Sequence, residues 1–226
     1  MRPLSEDLRS RIVAAREIRT TLSALEDAGV KVSYHAADVT DPGALAEVVQ
    51  DVYARHGRLD GIVHGAGIIE DRLLADKTPA SFRRVFDTKV SGATALLGAL
   101  RDDRPFVVFF TSVSGAFGNR GQVDYSAAND ALAAWAWTLA DQRRSGQGGR
   151  VLAVDWGPWA DTGMVSGELE REYARRGVGL LGADDAIDRL MTELSQPGGE
   201  PEIVVARARV ERFDPPVGEP VGHGAV

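Results

Sequence analysis

The run Phe109-Phe110-Thr111-Ser112-Val113-Ser114-Gly115, followed by Gly121-Gln122-Val123-Asp124-Tyr125-Ser126-Ala127-Ala128-Asn129, decides how this chain is read. Just ahead of Thr111, Phe106 to Phe110 is a short apolar run of β-favouring residues, the pattern of a strand buried on both faces. Beyond the second run, Asn129 to Leu139 is rich in Ala, Leu and Trp and predicts a buried helix. Ser112, Tyr125 and Asn129 therefore fall where a strand end meets a helix start. Open α/β sheets bind their ligands at that edge. Tyr125 and Asn129 stand one helical turn apart, so their side chains share a face and can address one ligand.

Working outward, Leu8, Ile12, Ala15, Ile18, Leu22 and Leu25 recur at helical spacing, predicting a helix over Leu4–Asp27 with Ser5 as N-cap and Gly29 as stop. Lys31 to Val39 alternates as a strand does. Asp41-Pro42 opens a second helix, with Pro at its first position, that runs to about His56. Leu59–His64 predicts a strand, Pro79–Leu100 a helix and Arg150–Trp156 a strand. Helices over Glu168–Arg176 and Ala183–Leu194 and a last strand over Glu202–Ala206 complete the pattern. Strands alternating with helices predict an α/β fold with a doubly wound, mainly parallel sheet. Gly146–Gly149 reads as a flexible loop. The domain is expected to occupy residues 1–212, and 213–226, rich in Pro and Gly, to be a disordered tail or linker.

Bulk properties exclude several classes. The 226 residues suffice for one domain with a sizeable core. A net charge of −7 argues against a nucleic-acid partner, which needs a basic footprint. The absence of Cys rules out disulfides and thiolate metal sites, and His35, His56, His64 and His223 have no metal-ligand spacing, so no metal is expected. No apolar run is long enough to cross a membrane, and the polar start Met1-Arg2-Pro3-Leu4-Ser5-Glu6-Asp7 lacks a signal-peptide pattern. A cytoplasmic, soluble protein with no membrane partner is the expectation.

Phe110-Thr111-Ser112, Gly118 to Tyr125, Asn129, Asp87-Thr88-Lys89-Val90 and Trp156-Gly157-Pro158-Trp159 together resemble the short-chain dehydrogenase/reductase superfamily. They resemble most closely the ketoreductase domains of polyketide synthases and multidomain fatty-acid-type synthases. Most of the superfamily carries Lys one turn after the Tyr and Asn on the preceding helix. In synthase ketoreductases the two exchange places, and Asn129 after Tyr125 with Lys89 upstream follows the exchanged order. The resemblance spans Asp38 to Val205. It implies a Rossmann-like sheet and NADPH-dependent reduction of a 3-oxoacyl group carried on an acyl carrier protein, with neighbouring synthase domains as partners.

The same resemblance assigns roles. Tyr125 is the expected proton donor. A free phenol has a pKa of about 10, and a nearby ammonium favours its ionised form. Lys89 is the expected ammonium, also bonding the cofactor ribose, Ser112 donates to the carbonyl oxygen, and Asn129 orients Lys89 or a relay water. Cofactor contacts are expected from Asp38 and Val39 near the adenine, although Asp38 also reads as a helix-capping residue. Gly65, Ala66 and Gly67 supply the strand-end motif, Gly157 and Pro158 the segment beside the nicotinamide, and Tyr125 and Lys89 complete the set. His64 reads as a strand-end histidine, not a base. Ile69-Glu70-Asp71 stands where ketoreductases giving a D-3-hydroxyacyl product carry Leu-Asp-Asp, and Phe117 replaces the Trp of the opposite class. Residues 163–182 are the expected lid, whose charges read mainly as a solvated face.

The chain departs from the family at its start. No G-x-G-x-x-G turn precedes Lys31, and Gly65-Ala66-Gly67 comes too late to serve as one. The sheet is thus expected to be N-terminally incomplete, lacking the first β-α-β unit, and the Lys31 strand to lack its usual neighbours. A truncated product, a fragment and a domain completed by a neighbour remain open. The alternative function is a non-catalytic remnant or scaffold element that binds no cofactor on its own; a free-standing dehydrogenase fits the Tyr-x-x-x-Asn order less well.

Overall fold

The computed structural model describes residues 6–143, 148–160, 167–175, 177–196, 198–209 and 212–213. The chain forms two units, Met1–Ala36 and Ala37–Val226. In the first, helix α1 (Glu6–Asp27) follows the predicted apolar spacing and ends at Gly29, whose φ of 77° closes the helix with Gly29 N–H donating to Glu26 C=O. Ser5, the expected cap, lies outside the described residues.

Residues 31–39 form no strand, which corrects the sequence expectation. Alternation supplies a strand's side-chain pattern, but a strand also needs a hydrogen-bonded neighbour for its N–H and C=O groups. The sheet of the second unit begins instead at β1 (Gly61–His64).

The second unit opens with α2 (Pro42–His56). Asp41 caps it by accepting from the Gly43 and Ala44 amides at 2.9 and 3.2 Å, and Pro42 sits where a missing N–H does no harm. After β1 come a single 3₁₀ turn at Leu74–Asp76 and α3 (Pro79–Gly98), capped by the Thr78 hydroxyl. Then follow β2 (Phe106–Ser112), the short α4 (Val113–Phe117), α5 (Val123–Gln142), β3 (Val151–Trp156), α6 (Gly167–Arg175), α7 (Ala183–Ser195) and β4 (Glu202–Val205).

The four strands lie in the order β1-β2-β3-β4, all parallel, in a Rossmann-like α/β architecture. Val107, Phe109, Val151 and Ala153 face Ala93 of α3 with Leu132 and Ala136 of α5. Val108, Leu152 and Val154 point the other way and pack with Ala186 of α7. Helices on both faces explain why β2 and β3 read as unbroken apolar runs rather than alternating ones. Parallel strands share one C-terminal edge, which brings His64, Ser112 and Trp156 to the same end of the sheet.

Where β2 and β3 begin, the chain before β3 passes against β2. A Cβ on Gly149 would lie 2.3 Å from Phe106 N and 2.6 Å from Phe106 Cα, both backbone atoms that cannot swing aside. Gly149→Ala is therefore expected to destabilise the fold by about 3 kcal/mol, as overpacking against fixed atoms does. Urea unfolding checks this by a lowered midpoint at unchanged slope.

Phe213, placed by sequence at the start of the tail, is buried and stacks on Phe117, with centroids 5.7 Å apart. Residues 214–226 and the first half of the loop expected at Gly146–Gly149 lie outside the described residues, as do 163–166 and 176 of the expected lid.

Candidate active site

The C-terminal ends of β1, β2 and β3 open onto a cavity of about 230 Å³ whose wall includes Gly67, Lys89, Ser112, Tyr125, Trp156 and Gly157. Each functional side chain arrives from a different element. Lys89 projects from the middle of α3, almost wholly buried, and its Nζ donates to Phe110 C=O at 2.8 Å. This ties the ammonium to the strand that carries Ser112. Burial brings the Lys89 pKa down to about 8, because desolvation penalises the charged form. Gly67 leaves the room Lys89 occupies: a Cβ there would meet Lys89 Cε at 3.0 Å.

Tyr125 lies in the first turn of α5, and Lys89 Nζ stands over its ring, 5.7 Å from the centroid. Burial pushes the Tyr125 phenol above its ordinary pKa, while hydrogen bonds from Ser112 and Asn129 pull it back down. The phenol thus keeps its proton at neutral pH. Ser112 ends β2 and caps α4, its Oγ accepting from Ser114 N–H at 3.2 Å. That capping bond occupies a lone pair and leaves the hydroxyl proton free to point at Tyr125.

Lys89, Ser112, Tyr125, Gly65, Gly67, Gly157 and Pro158 all line the cavity, whereas Asn129, Asp38, Val39 and Ala66 do not. Asn129 is fully buried, and its Nδ2 donates to Tyr125 C=O at 2.7 Å. It braces the turn of helix that presents Tyr125. The Asp38 carboxylate accepts from Thr40 N–H and Oγ1–H, each at 2.8 Å, and those bonds hold its pKa low. The helix cap itself is Asp41. Val39 lies against Gly92 of α3, where an added Cβ would sit 3.2 Å from Val39 O. His64 Nε2 donates to Lys89 C=O at 2.9 Å, and burial lowers its pKa. It is a neutral strut between β1 and α3.

Sequence reasoning missed the polar frame around the cavity. Gln122, buried on its wall, donates Nε2 to both Asp71 oxygens at 3.1 Å and accepts at Oε1 from Ser114 and Asn119. Glu70 accepts two bonds from Arg84 and one from Ser81, and these hold its pKa near 2. Lys77 and Asp124 form an ion pair at 2.6 Å with both side chains almost entirely buried. No local motif announces these pairings, which join residues far apart in the chain. Burial pushes the carboxyl of Asp155 on β3 well above the usual carboxylate range. Among the described residues no cluster of His, Cys, Asp and Glu can hold a metal ion, and no helix is long and apolar enough to cross a membrane.

A family model described as the KR domain matches residues 8–161. The chain is 36% identical over 185 residues to a polyunsaturated fatty acid synthase of Thraustochytrium, covering 80% of this chain and 6% of that protein. It is 36% identical over 209 residues to the polyketide synthase GfsA of Streptomyces halstedii, covering 88% of this chain and 3% of the relative. Among solved structures, a ketoreductase domain from the bacillaene assembly line superposes with a TM-score of 0.74 at 29% identity, covering 94% of this chain and 49% of that one. The first ketoreductase of the tylosin polyketide synthase gives 0.68 at 32% identity, covering 84% and 40%. The chain thus spans a small part of the curated relatives it matches, and half or less of these two solved chains.

Proposed function

The chain belongs to the KR domain family, the ketoreductase domains of polyketide synthases within the short-chain dehydrogenase/reductase superfamily, and we propose that it serves NADPH-dependent reduction of a 3-oxoacyl thioester held on an acyl carrier protein. The observation that carries this reading is the convergence of Lys89, Ser112 and Tyr125 on one cavity, with the ammonium 5.7 Å from the phenol ring. The family implies a nicotinamide cofactor. One feature of the cavity fits its reactive end: at Gly65 on the wall an added Cβ would meet nothing nearer than Phe110 Cδ2 at 4.0 Å, which leaves a flat ring room to approach the backbone. At about 230 Å³ the cavity is smaller than sites that enclose a whole drug-sized ligand, so it suits that end and not the entire dinucleotide. Lys89 and Tyr125 would hold the ribose, Gly157 and Pro158 the carboxamide side, and Asp38 and Val39 the adenine.

When bound, the nicotinamide supplies hydride to the carbonyl carbon. The chain's own residues handle the oxygen. Ser112 donates a hydrogen bond to it, lowering the energy of the negative charge that develops there. Tyr125, protonated at neutral pH, transfers its proton to that oxygen, completing the hydroxyl group. The resulting phenolate is stabilised by the Lys89 ammonium. Asn129 holds the Tyr125 turn in place through the Tyr125 C=O and, with Ser112, favours the ionised phenol. The D-3-hydroxy outcome is the one favoured by Ile69-Glu70-Asp71, with Asp71 engaged to Gln122 on the cavity wall.

The small cavity also favours a second reading, a chain that retains the residues of the site and binds no cofactor by itself. Titration of the chain with NADPH, followed by nicotinamide fluorescence, separates the two. Saturation with a dissociation constant of roughly 1–100 μM, about 5–8 kcal/mol of binding free energy, is expected for the reductase. No saturable binding supports the remnant.

A further inference from the structure

The stretch from Gly65 to Thr78 links the end of β1 to the start of α3, and it is bolted to the start of α5 at three points. Arg72 N–H donates to Gly121 C=O at 2.9 Å, Gln122 Nε2 donates to Asp71, and Lys77 pairs with Asp124. The third differs in kind from the others. Lys77 and Asp124 side chains are 2% and 1% exposed, and the Lys77 ammonium also donates to Glu70 C=O. The Asp124 Oδ1 in turn accepts from Tyr125 N–H at 2.9 Å.

Burying a full ion pair is a poor route to stability, since desolvation offsets most of the Coulombic attraction and an apolar pair of similar volume often does as well. Its position is what distinguishes it. Lys77 immediately precedes Thr78, the cap of α3, and Asp124 immediately precedes Tyr125 in the first turn of α5. α3 carries Lys89 and α5 carries Tyr125, so the pair locks together the starts of the two helices whose side chains converge on the cavity. Glu70 C=O adds the loop whose neighbours Gly67 and Ile69 form part of the cavity wall.

We propose that Lys77 is a positioning residue of this site: through Asp124 and the Glu70 carbonyl it sets the placement of Tyr125 relative to Lys89 and holds the 67–72 loop against the cavity. This rests on the ketoreductase reading for its effect on turnover, but not for its effect on geometry. Lys77 touches no reacting atom. Misplacing a catalytic group by about 1 Å lowers turnover about 100-fold, and that is the scale expected here.

The test compares the whole chain with Lys77→Met and with the double variant Lys77→Met/Asp124→Asn, which leaves no uncompensated buried carboxylate. In a folded variant, turnover number with NADPH and a 3-oxoacyl thioester is expected to fall about 100-fold while both KM values stay within about threefold, the signature of lost alignment rather than lost binding. Hydrogen exchange at the amides of residues 67–72 and of the first turn of α5 is expected to quicken at least about tenfold, as local opening becomes easier. Wild-type-like turnover in a folded variant, or unchanged exchange, overturns the proposal. So does failure of both variants to fold, which would make the pair a requirement of the fold alone. If the unmodified chain turns over no 3-oxoacyl thioester, the functional reading fails, and the exchange experiment still decides the clamp by itself.

Discussion

Tyr125→Phe is expected to reduce turnover of a 3-oxoacyl thioester by about 1,000-fold, within the range associated with removing a positioned general acid. The substitution deletes one oxygen and nothing else. That oxygen sits on the cavity wall, receives hydrogen bonds from Ser112 and Asn129, and is kept protonated by its burial. Lys89, engaged with Phe110 C=O, is poorly placed to replace it as proton donor. The effect on stability should be small, about 1 kcal/mol, because a partly exposed hydroxyl with neutral partners is lost. NADPH affinity is expected to change little. Absorbance-monitored oxidation of NADPH, beside a thermal melt of the same sample, checks all of this. Turnover within tenfold of the unmodified chain would sink the proton-donor assignment.

Lys89→Met is expected to lower turnover by a similar or larger factor and at the same time to make the fold more stable at neutral pH. The two effects have one cause. The ammonium is held where desolvation opposes its charge, so its pKa falls from 10.5 to about 8. Below that value the fold carries a charge it disfavours. Between about 8 and 10.5 the unfolded chain keeps a proton that the folded chain has already shed, so stability rises with pH across that window. The shift corresponds to about 3 kcal/mol of destabilisation at neutral pH. Replacing Lys89 by an apolar chain of similar length removes this penalty. It also leaves Phe110 C=O without its side-chain donor, which costs about 1–2 kcal/mol in return. A net gain of about 1–2 kcal/mol, or a few degrees in melting temperature, is expected at neutral pH. The upward slope of stability above about pH 8 should vanish in the variant. Melting curves across the alkaline range read both results, and a variant that melts lower than the unmodified chain at neutral pH contradicts the account. An ammonium kept at a cost to stability and beside a phenol is what a functional role predicts and a structural role does not.

The central elements were legible because their signals are local. Phe106 to Phe110 and Val151 to Trp156 read as buried parallel strands from apolar runs alone, and the structure places β2 and β3 there with helices on both faces. Asp41-Pro42 announced the start of α2 because a cap and a first-turn proline act within a few residues. The juxtaposition of Ser112 and Tyr125 followed from the strand–helix connection that joins them.

Residues 31–39 show where local reasoning stops. Their alternation is real, but pairing is a property of two segments, and among the described residues the sheet runs from β1 to β4. Asn129 shows a subtler limit. One helical turn sets which face a side chain occupies, not whether it reaches the cavity, and packing turned Asn129 inward to brace the Tyr125 carbonyl.

The amino-acid sequence by itself determined the α/β class, the parallel central strands and the identity of the residues that meet at their C-terminal edge, because hydrophobic pattern, caps and turn residues act over a few positions. Only the tertiary structure decided that Lys89 stands over Tyr125, that Asp38 Oδ1 accepts from Thr40, and that Lys77 is buried against Asp124. Those are contacts across long chain separations, where burial and desolvation select the partner and no short-range rule anticipates it.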